Sequence, residues 1–125
     1  MTLYSKEINQ RFFNPEHVDL AEEHPEFRVF SHSIGSIEQG TWIRLRVWLN
    51  AKNGIEYAKF KVYGDPIVIA ACELICEHLI QGGLVEAAHF NLEQIAEVLS
   101  VPAQSLDKLI WVKRAYLGVI NDCNR

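Results

Sequence analysis

Residues 41–63 read TWIRLRVWLNAKNGIEYAKFKVY, and this stretch decides the fold. Within it, Ile43, Leu45, Val47 and Leu49 alternate with Trp42, Arg44, Arg46 and Trp48. Successive side chains leave a strand on opposite sides, so this alternation predicts a strand with one buried face. Asn53-Gly54 follows, a pair that tolerates positive φ and turns a hairpin. The next stretch alternates again, with Ala58, Phe60 and Val62 set against Tyr57, Lys59, Lys61 and Tyr63. Two strands of this kind predict an antiparallel sheet with one face on the core and one in water.

Outward from the hairpin the pattern weakens upstream and turns helical downstream. Residues 27–34 read as a weaker first strand, and residues 5–13 as a short helix. That helix stops before Asn14-Pro15, since the residue before proline is pushed out of the helical region. After Tyr63, Asp65 is the expected N-cap and Pro66 the first helical residue. The helix runs to about residue 81, where Gly82-Gly83 is a natural stop. It is apolar almost all round as far as Cys76, which predicts a central buried helix. A short helix is expected over 91–99. A last one, over 105–122, carries a stripe of Leu106, Leu109, Val112, Tyr116, Val119 and Ile120. Strands followed by helices predict an α+β domain with helices on the apolar sheet face.

Composition narrows the function. The 125 residues suit one domain, 1–125, and 49% of them are apolar against 22% charged, which is globular composition. The net charge of −4 gives no bulk attraction to nucleic acid or to anionic membrane. No uninterrupted apolar run approaches the length of a membrane span, and the first ten residues show no secretory leader. Three cysteines, an odd count without a CxxC, argue against a disulfide framework and predict a reducing, cytoplasmic setting.

Several short motifs, in order and spacing, resemble the NifU/IscU-type iron–sulfur cluster assembly scaffolds. They are Tyr4-Ser5, Asn14-Pro15-Glu16-His17-Val18, Ala58-Lys59-Phe60-Lys61-Val62-Tyr63-Gly64, Ile69-Ala70, Ile95-Ala96-Glu97 and Val101-Pro102. The resemblance covers nearly the whole chain. It implies a three-stranded antiparallel sheet with helices packed on one face, in agreement with the periodicity. It also implies a site of three cysteines, an aspartate and a histidine that holds a nascent [2Fe–2S] cluster or zinc, because soft thiolates suit such metals.

Carried over residue by residue, the resemblance puts the first cysteine on Gln39 and the aspartate on Thr41. The second cysteine falls on Asp65, the histidine on Asp107 and the third cysteine on Lys108. Every soft ligand position is thus substituted, and no bound metal or cofactor is expected. The family's chaperone-recognition segment is also reduced, to Val101-Pro102-Ala103-Gln104-Ser105. Lys108 falls in the first turn of the last helix, where a cation opposes the helix dipole. One explanation is an Asp65–Lys108 ion pair across the former cluster pocket; another is that Lys108 turns into solvent. A hard-ligand site of Asp65 and Asp107 assisted by Gln39 is disfavoured by the Lys108 charge.

Cys72 and Cys76 share a helix face with apolar neighbours and read as core, while Cys123 is expected to be exposed. The five histidines show no metal-binding spacing, and no nucleophile–base pattern is visible, so no enzyme activity is expected. The wet sheet face collects Trp42, Arg44, Arg46, Trp48, Tyr57, Lys59, Lys61 and Tyr63. Cross-strand cation–π pairs account for such a face structurally; exposed tryptophans also mark protein-binding surfaces. Stacked bases are a further occupant, though nucleic acid is not the expected partner. Two functions follow. The first is a ligand-degenerate member of the iron–sulfur assembly machinery that docks a cysteine desulfurase or another assembly protein. The second is a non-catalytic interaction module working through the basic-aromatic face. No membrane partner is expected.

Overall fold

The alternation in residues 41–63 becomes the spine of a three-stranded antiparallel sheet in the order β1-β2-β3. The structure, a computed structural model, describes residues 4–87, 89 and 91–124. The strands are β1 (Arg28–Ser36), β2 (Thr41–Leu49) and β3 (Ile55–Tyr63). The register stacks Ile43 on Val62, Leu45 on Phe60 and Val47 on Ala58. A bulge breaks it at the hairpin end, where Trp48 opposes Tyr57 but Leu49 opposes Ile55. The extra residue, Glu56, turns Ile55 onto the core face, which simple alternation does not foresee.

Four helices complete the fold: α1 (Lys6–Phe13), α2 (Pro66–Ala87), α3 (Leu92–Leu99) and α4 (Lys108–Cys123). Helix α2 packs on β3, α4 packs on β1 and β2, and α1 and α4 both flank α2. Leu45, Val47 and Phe60 of the sheet meet Ile67, Ala71, Ile75 and Leu79 of α2 and Leu109, Val112 and Val119 of α4, all buried. Each large aliphatic side chain so buried contributes about 1.5–3 kcal/mol.

The helix starts follow local chemistry. Ser5 Oγ accepts the Ile8 N–H at 3.1 Å and donates to the Leu99 carbonyl, tying α1 to the end of α3. Asn91 and Gln94 form a reciprocal capping box at the start of α3. Two helix limits differ from expectation. Gly82-Gly83 does not end α2 but kinks it, with Gly83 at φ 69°, a conformation that glycine alone adopts freely. A 3₁₀ turn, Ala103–Ser105, precedes α4. Leu106 therefore lies before the helix and is 39% exposed, whereas the rest of the expected stripe is buried. Scored on mean hydropathy, the stretch Pro66–Leu84 is long and apolar enough to cross a bilayer, which counting uninterrupted runs overlooks. More than half of it is buried against the protein's own core.

Residues 14–27 wrap the sheet. The Phe60 N–H donates to the His17 carbonyl at 2.9 Å, and the Asp19 N–H to the Phe60 carbonyl at 2.8 Å. Buried Glu73 of α2 fixes this strap: its Oε1 accepts the N–H groups of Glu16 and His17, and its Oε2 meets His17 Nδ1. The strap then carries Asp19 onto the second sheet face. There Arg46 grips the Asp19 carboxylate as a fork, with both bonds at 2.7 Å, and Arg44 adds a contact at 3.3 Å. Further along, His24 stacks on Tyr57 at 3.8 Å and meets Trp48 edge-on. Trp48 is consequently 1% exposed, not solvent-facing as its strand position predicts.

The Arg46 fork is the chief cause that holds the Asp19 carboxyl below its ordinary value of 3.8. A carboxyl lowered on folding stabilises the fold above its unfolded pKa, and that stability is lost as pH falls through the folded value. An Asp19→Asn variant is expected to lose about 3 kcal/mol at neutral pH, since it strands a largely buried arginine. In urea denaturation the gap to the parent should narrow as pH drops below 3.8; a gap constant across that range contradicts the assignment.

Candidate functional site

One end of the molecule gathers three chain segments: the β1–β2 turn, the β3–α2 turn and the start of α4. The first turn is set by Gly35, at φ 82°, where an added Cβ would lie 2.1 Å from the Thr41 carbonyl oxygen. Any larger residue would break the Gly35–Trp42 register and move the turn. The Gln39 N–H donates to Ser36 Oγ at 3.1 Å, so the turn is closed by its own side chain. Gly64 lies against this turn, with an ideal Cβ 3.8 Å from both the Gly40 oxygen and Thr41 Cγ2.

Asp65 follows, and its carboxylate is divided between two tasks. Oδ1 accepts the Ile67 N–H at 2.8 Å, which caps α2 as the sequence predicts. Oδ2 accepts from Lys108 Nζ at 2.7 Å. Lys108 is the first residue of α4, so one side chain joins the N-termini of two helices. The bond to Asp65 outweighs the burial that opposes it, and the Lys108 ammonium is held above its ordinary value of 10.5. The paired side chains are 28% and 37% exposed, which places this ion pair in the weak, solvent-screened class. Solvent is therefore not where Lys108 turns.

The other expected positions are less engaged. Gln39 and Asp107 are exposed and Thr41 is half-buried. Among the described residues, none of the three side chains bonds to Asp65 or Lys108. Nor does any group of three or more His, Cys, Asp or Glu residues among them stand close enough to hold a metal ion.

The thiols lie elsewhere. Cys72 is seven residues past Asp65, about 10 Å along α2, and Cys123 is at the far end of α4, about 22 Å from Lys108 along that helix. Cys72 and Cys76 are fully buried, and burial raises both thiols, which disfavours the reactive thiolate. Cys123 is 8% exposed, not solvent-facing as expected; burial there pushes its thiol up to about 11. The last turn of α4 runs beside the start of β1, close enough for Arg28 to act on it.

The second sheet face is split by the strap. Trp48 is covered, Tyr57 lies under His24, and Arg46 is bound to Asp19 and stands 4.5 Å from the Trp48 ring centre. Lys61 and Tyr63 stay exposed and Trp42 and Lys59 half-buried, with Arg44 at the boundary. Asp19, Glu73, His17 and His24 organise this region and were not signalled by periodicity. The hint available for Asp19 was two arginines on one strand face without a nearby acid.

Comparison with known proteins gives a consistent result. The family described as NifU-like N terminal domain matches residues 3–122. The iron–sulfur cluster assembly scaffold protein IscU of Escherichia coli strain K12 is 29% identical over 95% of this chain and 92% of its own length. The protein of that name from Azotobacter vinelandii is 30% identical over 95% and 92%. That from Buchnera aphidicola subsp. Acyrthosiphon pisum is 29% identical over 98% and 95%.

The shared carboxylate predicts unequal losses. Asp65→Ala removes a cap worth about 1 kcal/mol together with the ion pair. Lys108→Met removes the pair alone, about 0.2–1 kcal/mol. A double-mutant cycle by urea denaturation should return a coupling in that smaller range; equal losses from both single variants with no coupling contradict the divided role.

Proposed function

The chain belongs to the NifU-like N-terminal domain family, and on that premise we propose that it is a ligand-degenerate member. It serves iron–sulfur cluster assembly by docking a partner, such as a cysteine desulfurase or another assembly protein, in the cytoplasm. It neither holds a [2Fe–2S] cluster as a conventional scaffold does nor catalyses a reaction of its own.

The observation that carries this reading is the 2.7 Å bond between Lys108 and Asp65. By resemblance, these two positions, with Gln39, Thr41 and Asp107, stand where the family places its ligands. Iron–sulfur clusters and structural zinc take thiolates and imidazoles. The five side chains here offer oxygen, amide nitrogen and an ammonium, and an ammonium has no lone pair to give. The one carboxylate at a cysteine position already accepts two hydrogen bonds. This donor set fits neither a cluster nor zinc. The relatives, all iron–sulfur cluster assembly scaffold proteins, support the general process.

Anaerobic incubation with iron and sulfide followed by desalting tests the proposal. The expected outcome is a colourless protein that nevertheless retains a purified cysteine desulfurase or another assembly protein in a binding assay. A stable [2Fe–2S] absorption spectrum at stoichiometric iron overturns the ligand loss. Failure to retain any assembly protein overturns the docking role.

A further inference from the structure

The register of β2 and β3 opposes Arg44 to Lys61 and Arg46 to Lys59. Cation facing cation is the least favourable cross-strand arrangement. Counter-charge reaches the arginines: Asp19 forks Arg46 and contacts Arg44 at 3.3 Å, and Glu22 and Glu23 act on Arg46 as well. Lys59 and Lys61 have no ion-pair partner among the described residues. Around them the strap leaves apolar surface open. Tyr63 is 52% and Ile37 63% exposed, and Trp42, Lys61, Ile37 and Glu38 line one shallow hollow.

Asp19 thus answers both arginines, and the uncompensated charge of this face sits on Lys59 and Lys61. We infer that the uncovered half of this sheet face docks an acidic polypeptide segment. Its apolar side chain seats beside Trp42, and its carboxylates meet Lys59 and Lys61. Glu38, which lines the same hollow, repels an acidic segment and so directs the acids toward the lysines. Charge complementarity selects the partner. A nucleic acid strand is the poorer occupant, because two free lysines neutralise few phosphates and the net charge is −4. The inference deepens the partner-docking reading and rests on it. Its test uses neither iron nor sulfide, so either can fail alone.

The probe is a short synthetic peptide with a central phenylalanine flanked by glutamates, titrated into the full ¹⁵N-labelled chain. Saturable amide shifts are expected around Trp42, Lys59, Lys61 and Tyr63, and none with the glutamine analogue. Trp42→Ala should weaken binding about tenfold. Lys59→Glu with Lys61→Glu should abolish it while the thermal midpoint stays level or rises, since each glutamate then faces an arginine. Several outcomes overturn the inference: shifts confined to other elements, equal binding of the glutamine analogue, or tighter binding of an oligouridine at the same residues. A lower thermal midpoint in the lysine variant also overturns it, because the lysines would then be structural.

Discussion

The site end of this protein depends on one carboxylate doing two things at once. Asp65 caps α2 through one oxygen and holds Lys108 of α4 through the other. Either task alone is ordinary and weak. Together they fix where two helix N-termini stand relative to the β3–α2 turn. Lys108 would otherwise oppose the dipole of its own helix. The aspartate removes that conflict, and the lysine in return supplies a partner for a cap that is partly exposed. A position that suits a thiolate, at the positive end of a helix, suits a carboxylate for the same electrostatic reason. A carboxylate there gives local order without the reactivity of a thiolate.

A second constraint acts on the far side of the sheet. The strap from residue 14 to residue 27 is tied to β3 by backbone bonds and to α2 by Glu73. It delivers the carboxylate that Arg46 needs and the imidazole that covers Tyr57. Half of the face becomes interior, and half stays cationic and open. The molecule is therefore asymmetric in a way that its net charge of −4 conceals.

What was legible in the sequence follows from range. The hairpin, the Asp65 cap and the capped starts of α1 and α3 are set by residues within a few positions of one another. The Asp65–Lys108 bond spans 43 positions; the resemblance put both residues in one pocket, and the pair was one of two readings offered there for a cation at a helix start. The covering of Trp48 was not readable, because it rests on His24 and Asp19, which lie in a segment without periodicity. The core position of Ile55 was not readable, because a bulge shifts side-chain parity without altering composition. Cys123 was misjudged because nearness to a chain end says nothing about packing, and the last turn of α4 lies on β1. The family's ligand positions were assigned through resemblance alone; no local pattern in Gln39, Thr41 or Asp107 distinguishes them from ordinary turn residues.

We propose that a hydrogen-bonded ion pair joins this end of the molecule where the family resemblance puts a metal site. A ligand that binds the native state raises its thermal midpoint by mass action. The direct measurement is the thermal midpoint of the full chain at neutral pH, taken with excess chelator and then with stoichiometric zinc. The expected result is one midpoint in both conditions. A midpoint several degrees higher with zinc, abolished by Asp65→Ala, would contradict the claim.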